Sequence, residues 1–217
     1  MVSPLRHTLI ALSKSPKMQE IIVGVPASRQ MARRFVAGET LADAIGAIRA
    51  SNAAGLLATL DYLGEHVNNQ AEATVNADEY IRALQAIQEA GVNANISIKL
   101  TAMGLAVDDE FCYHNVRRIV EAAARRGNFV RIDMEDSPVT DRTLAIYRRL
   151  RGEFANVGVV IQAYLYRSEE DVRELMAQGM AHLRLCKGAY DEPPAVAFQP
   201  KAEVDQSMLR LIRLMLD

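Results

Sequence analysis

Beyond Gly55 the chain alternates short apolar runs with longer amphipathic stretches. The apolar runs occupy residues 56–60, 95–100, 129–133, 157–162 and 183–186. Each has strand length and most are rich in aliphatic or β-branched side chains. The stretches between them carry helix punctuation. Asn76 with Glu79 reads as a capping box, Ser168 with Asp171 gives a similar signal, and Thr140 or Asp141 opens a helix after Pro138. Gly91, Gly127 and Gly179 stand where the helices should stop, each shortly before an apolar run. The pattern is strand–helix repeated five times, which predicts a parallel sheet covered by helices.

Before residue 50 the texture is helical and irregular. Residues 30–38 read as a helix closing at Gly38, and Thr40 as the cap of a second helix running to Ala50. The expected division is an N-terminal helical segment, residues 1–50, followed by a (βα) unit from 51 to 217. At this spacing an eight-unit barrel needs roughly 250 residues. The alternatives are therefore five units of a (βα)8 TIM-type barrel or a complete five-stranded open sheet. Polar groups stand at the end of every apolar run: Asp61 and Glu65, Lys99, Asp133 and Glu135, Gln162, then Arg184 and Lys187. Barrels place their chemistry on that face, drawn from several strands, whereas an open doubly wound sheet gathers it at one switch point. No glycine-rich dinucleotide fingerprint follows the first run. The spread favours an α/β barrel, present in part.

Composition narrows the class. Half of the 217 residues are hydrophobic, enough for a real core, and 25 basic against 27 acidic residues argue against a polyanion or nucleic-acid binder. Cys112 and Cys186 make neither a disulfide framework nor a metal signature, and His66 and His114 have no partners at ligand spacing, so no metal is expected. No apolar stretch has membrane-spanning length. Leu9 to Leu12 is too short for a signal peptide and is followed by Lys14 and Lys17. A soluble cytoplasmic protein is the expectation.

Each strand-end group has a bland reading beside a chemical one. Lys99 is a surface lysine, an anion-binding cation, or a Schiff-base lysine, which needs an apolar pocket to lower its pKa. Asp133 and Glu135 either serve the following Asp136-Ser137-Pro138 turn or, two apart on a strand, point two carboxylates into one site. Gln162 either bonds neighbouring backbone or offers its amide to a heteroaromatic ring. Arg184, within an apolar run expected to be buried, needs a carboxylate such as Asp133 or Glu135, or a bound electron-rich ligand. A cation beside a flavin would stabilise its anionic reduced form.

These residues sit in a set of ordered motifs: Arg34-Phe35-Val36-Ala37-Gly38-Glu39-Thr40, Leu60-Asp61-Tyr62-Leu63-Gly64-Glu65, Ser97-Ile98-Lys99-Leu100, Ile132-Asp133-Met134-Glu135, Val160-Ile161-Gln162-Ala163-Tyr164 and Arg184-Leu185-Cys186-Lys187-Gly188-Ala189-Tyr190. In these the chain resembles the proline dehydrogenases, flavin enzymes with a distorted (βα)8 barrel. The resemblance implies FAD-dependent oxidation of L-proline to 1-pyrroline-5-carboxylate, with electrons passed to a membrane quinone. It implies that Lys99 contacts the substrate carboxylate and that Asp133 lies beside the substrate amine. Met134 and Gln162 would line the flavin, with Arg184 near its N5 and completing the substrate pocket. Lys187, Gly188 and Ala189 would lie against the cofactor, and Tyr190 would help to close the proline site. A quinone acceptor adds peripheral contact with the inner face of the cell membrane to the cytoplasmic expectation.

The family pattern continues past residue 217 through three more strands and a last helix carrying an arginine pair. The expectation is accordingly of a C-terminally truncated chain that does not turn over proline by itself. Two other readings stand beside this one. One is a class I aldolase-like barrel with Lys99 or Lys187 as the Schiff-base residue. The other is a non-catalytic truncated paralogue that binds a partner.

Overall fold

The computed structural model describes residues 37, 38, 40–62, 64 and 67–216. Residues 30–36 of the expected first helix, and Glu65 and His66, lie outside the described residues. The elements run α1 (Leu41–Ala53), β1 (Ala58–Asp61), α2 (Gln70–Ala90), β2 (Ala94–Ile98), α3 (Asp109–Ala124), β3 (Val130–Ile132), α4 (Thr140–Glu153), β4 (Val157–Gln162), α5 (Ser168–Ala177), β5 (Leu183–Cys186) and α6 (Lys201–Leu216). Single 3-10 turns, Thr101–Met103 and Ser137–Val139, follow β2 and β3.

All five strands are parallel, and each pairs with the next in sequence, giving the order β1-β2-β3-β4-β5. The order never reverses, so the sheet has no switch point and the open doubly wound alternative falls away. Right-handed crossovers in one direction put every covering helix on the same face. The result is a curled partial barrel of the TIM type.

Register decides which side chains meet. Ile96, Val130 and Val157 stand in one row, and Ile98, Ile132 and Val159 in the next. These residues face the helices and join Leu84, Ile119, Leu144, Leu150 and Leu175 in one buried apolar cluster. The other face is polar. Asp61, Ser97, Arg131 and Gly158 form one cross-sheet row, and Val160 beside Arg184 belongs to the next. An apolar face packed outward and a polar face turned inward follow directly from the period of two along a strand.

Gly158 is a steric requirement of that inner face. A Cβ there would come within 2.4 Å of the Arg131 guanidinium and of the His182 carbonyl oxygen. Arg131 Nη1 donates to the His182 oxygen at 2.7 Å, crossing over the glycine to tie β3 to the entry of β5. We expect Gly158→Ala to lower unfolding stability by about 2 kcal/mol through overpacking. Urea denaturation monitored by circular dichroism measures this, and a loss within experimental error would show that Arg131 simply moves aside.

Several local expectations are met and several are corrected. Thr40 caps α1 in a reciprocal capping box with Asp43. The helix runs past residue 50 to Ala53, and its Ile45 and Ile48 belong to the main core. The runs 157–162 and 183–186 are strands as read. The first strand starts at Ala58, because Asn52 Nδ2 donates to both Leu56 O and Asn93 O and holds the preceding segment as a connection. Asn76 caps nothing: α2 starts a full two turns earlier at Asn69, which accepts from Glu72 N at 2.8 Å, and Asn76 Nδ2 instead donates to Ala102 O. Ser168 begins α5 but makes no cap; its hydroxyl donates to Gln162 O, and Asp171 pairs with Arg167.

Candidate active site

The carboxyl ends of the strands carry two linked polar clusters. The first joins β1, β2 and α2. Lys99 Nζ lies 3.0 Å from Asp61 Oδ2. The Tyr80 hydroxyl donates to Asp61 Oδ1 at 2.7 Å and accepts from Tyr62 N at 3.1 Å. Lys99 follows β2 directly, so its ammonium emerges beyond the strand row that holds Asp61 and Ser97. A Schiff-base lysine needs an apolar pocket, whereas Lys99 has the Asp61 carboxylate at ion-pair distance. Lys187 Nζ likewise pairs with Asp205 of α6, at 2.5 Å.

The second cluster joins β2, β3 and β5. Ser97 Oγ donates to Asp133 Oδ1 at 2.7 Å, and Arg184 Nη2 donates to that same oxygen. Arg184 Nη2 also reaches Ser97 Oγ at 3.3 Å. Both of these side-chain donors converge on Oδ1. Burial pushes the Asp133 carboxyl above the usual aspartate value, outweighing the Ser97 hydrogen bond and the Arg184 charge, which act the other way.

Arg184 departs from one expectation. Its side chain is 42 % exposed, because β5 is the outermost strand among the described residues and is only partly covered. It nevertheless finds the carboxylate anticipated for it. An ion pair this exposed contributes at most about 1 kcal/mol to stability, so its value lies in placing charge at the strand ends.

The expected pair of carboxylates does not converge. β3 ends at Ile132, so the alternation that would align Asp133 with Glu135 stops before Glu135. Glu135 is buried, accepting from Thr101 N at 3.0 Å and from the Thr101 hydroxyl. It braces the turn after β2. Gln162, 2 % exposed, donates from Nε2 to Glu135 O at 2.8 Å, so the amide holds the loop after β3 against β4. Met134 is buried within the main apolar cluster.

The loop after β5 closes over the same end of the sheet. Gly188 has φ +116°, and a Cβ there would fall 2.4 Å from the Tyr164 ring. Tyr164 N donates to Lys187 O at 2.9 Å, and Tyr164 OH donates to Tyr190 O at 3.3 Å. The Tyr164 hydroxyl is pushed up to about 12, chiefly by burial and then by Glu192, so it remains a donor. Glu192 accepts from Ser137 N and Ser137 Oγ, both at 2.6 Å, and thereby anchors this loop to the loop after β3. Ala189 is exposed and Tyr190 half-buried.

Two contributors escaped the sequence reading. Ser97 stands two residues before Lys99 and shares its face, so the strand period could have found it. Tyr80 lies inside an amphipathic helix, where it reads as core; nothing local marks it.

Such an arrangement, a singly wound parallel (βα) sheet with charge of both signs at successive strand ends, defines a TIM-barrel-type fold whose carboxyl face, where such barrels place their chemistry, carries the candidate site. Residues 44–214 match the family model described as Proline dehydrogenase, and the chain belongs to that family. It is 42 % identical over 212 residues to proline dehydrogenase 1 of Bacillus subtilis, spanning 98 % of this chain and 70 % of that protein. It is 38 % identical over 216 residues to the proline dehydrogenase of Deinococcus radiodurans, spanning 95 % of this chain and 67 % of that one. Among solved structures it resembles proline utilization A (PutA) from Bdellovibrio bacteriovorus, inactivated by N-propargylglycine, with a TM-score of 0.79 and 25 % identity. That match covers 87 % of this chain and 24 % of the PutA chain.

Proposed function

We propose that the protein oxidises L-proline to 1-pyrroline-5-carboxylate in proline catabolism, with FAD as its cofactor and a quinone as the eventual electron acceptor. The observation that carries the reading is the paired clusters at the strand ends: Lys99 held by Asp61, and Asp133 held by Ser97 and Arg184. Proline is a zwitterion, and a site for it needs a cation for the carboxylate and an acceptor for the amine. Lys99 supplies the first. Asp133 supplies the second, and its raised pKa makes it a better acceptor for the amine proton than an ordinary aspartate. Loss of that proton frees the nitrogen lone pair that forms the C=N bond as hydride leaves the adjacent carbon.

The donor chemistry present fits a flavin. Arg184 stands half exposed opposite Val160, two residues before the buried Gln162 on β4, and Gly188 holds an open backbone conformation next to exposed Ala189. Arg184, Gln162, Lys187, Gly188 and Ala189 would hold the group, with Met134 packed behind them. FAD bound there would supply a two-electron acceptor. Arg184 stabilises negative charge that develops beside it, and Tyr190, tethered through Tyr164, narrows the entrance to water. No described helix is long and apolar enough to cross a membrane.

Anaerobic addition of L-proline to the FAD-loaded protein should bleach the flavin absorbance near the visible maximum, an outcome that would overturn the expectation from the sequence that residues 1–217 alone do not turn over proline, and D-proline should not. A product that condenses with o-aminobenzaldehyde identifies the cyclic imine. Flavin that stays oxidised at saturating L-proline would overturn the proposal.

A further inference from the structure

We infer that Tyr80, a helix residue outside the substrate pocket, is a positioning residue that sets the carboxylate-binding geometry of Lys99 by holding Asp61. This role rests on the proline reading and deepens it.

The two oxygens of Asp61 are divided between two partners. Oδ1 accepts from the Tyr80 hydroxyl at 2.7 Å, and Oδ2 faces Lys99 Nζ at 3.0 Å. Tyr80 itself is fixed. It is 1 % exposed in the core of α2, and its hydroxyl also accepts from Tyr62 N at 3.1 Å, immediately after β1. The Tyr62 ring packs edge-on against it, with centroids 6.2 Å apart. A rigid, buried ring therefore reaches from the helix layer to the strand end and locks one carboxylate oxygen. Burial, and then the charge of Asp61, hold the Tyr80 hydroxyl well above the usual tyrosine range, so it donates at every working pH.

That lock matters because of what it restrains. A lysine head on a four-carbon stem has many rotamers, and holding it in one costs entropy. A fixed Asp61 oxygen pre-organises the ammonium before substrate arrives. Without the Tyr80 hydroxyl the carboxylate is free to rotate toward the same space as a substrate carboxylate, where like charges repel. The effect should fall on ligands that carry a carboxylate and spare those that carry only an amine.

The test uses the FAD-loaded protein and two ring compounds that each keep half of proline: cyclopentanecarboxylate, without the amine, and pyrrolidine, without the carboxylate. In Tyr80→Phe, calorimetric titration should show cyclopentanecarboxylate weakened about tenfold, the size expected from losing one hydrogen bond to a charged group. Pyrrolidine affinity should be unchanged. For L-proline, KM should rise by a similar factor while kcat stays within about twofold, the signature of lost uniform binding. Asn156→Ala, which removes the hydrogen bonds to Val120 O and Asn128 O at the opposite, amino end of the strands, controls for general destabilisation and should alter neither ligand. Equal weakening of both ligands in Tyr80→Phe, or no change in either, overturns the role while the proline reading stands. A wild-type protein that binds neither ligand and leaves L-proline unoxidised overturns the proline reading itself, and this role with it.

Discussion

Replacing Arg184 with Met should lower kcat/KM for L-proline by about 10²- to 10³-fold, the cost of removing one pre-organised donor from developing charge. The melting temperature should hardly move. The Arg184–Asp133 pair is too exposed to contribute more than about 1 kcal/mol, and the methionine stem keeps the packing against β4. The pH profile should change as well. Burial already raises the Asp133 carboxyl, and Arg184 is one of the groups that restrain the rise. Its removal lifts the carboxyl further. In the proposed reaction Asp133 must be ionised to take the amine proton, so the rate should fall as pH drops through that pKa, and Arg184→Met should shift this acid limb to higher pH. A loss under about threefold with an unmoved acid limb would remove Arg184 from the chemistry.

The same shift has a stability consequence of opposite tendency to that of an ordinary paired carboxylate. A folded-state pKa raised above the unfolded value means that the native chain binds the Asp133 proton more tightly. The stabilisation from this group is complete below the unfolded value near the usual aspartate range. It is lost as pH rises through the folded value. Asp133→Asn should flatten that segment of the stability–pH curve.

The second large effect is structural. Glu135→Ala should destabilise the fold by about 3 kcal/mol while leaving Asp133 in place. Glu135 is buried and accepts from the backbone amide and hydroxyl of Thr101, and truncation strands both donors in the interior. The turn Thr101–Met103 then loses its brace, and Lys99, two residues before it, loses definition. Chemical denaturation measures the first effect. A change below about 1 kcal/mol would show that water reaches Thr101 and replaces the carboxylate.

These two residues show how unevenly the site could be read in advance. Asp133 and Glu135 are equivalent as sequence, two acidic residues around one methionine at a strand end. Only the early end of β3 separates them, sending one to Arg184 and the other to Thr101. Helix starts were similarly ambiguous. Asn69 and Asn76 are both competent caps, and packing against the turn after β2 draws Asn76 into the helix interior.

The chain's own pattern was sufficient for five strands, their covering helices and the polar group at each strand end, because burial on one face imposes a period that short-range sequence carries directly. The family motifs, too, are written in consecutive residues. Tertiary structure alone decided the strand order that excludes an open sheet, the exposure of Arg184, and the joining of Tyr80, Asp61 and Lys99. Each depends on contacts between residues far apart in the chain, and no local periodicity encodes which of several equally polar side chains will meet across the inner face of a sheet.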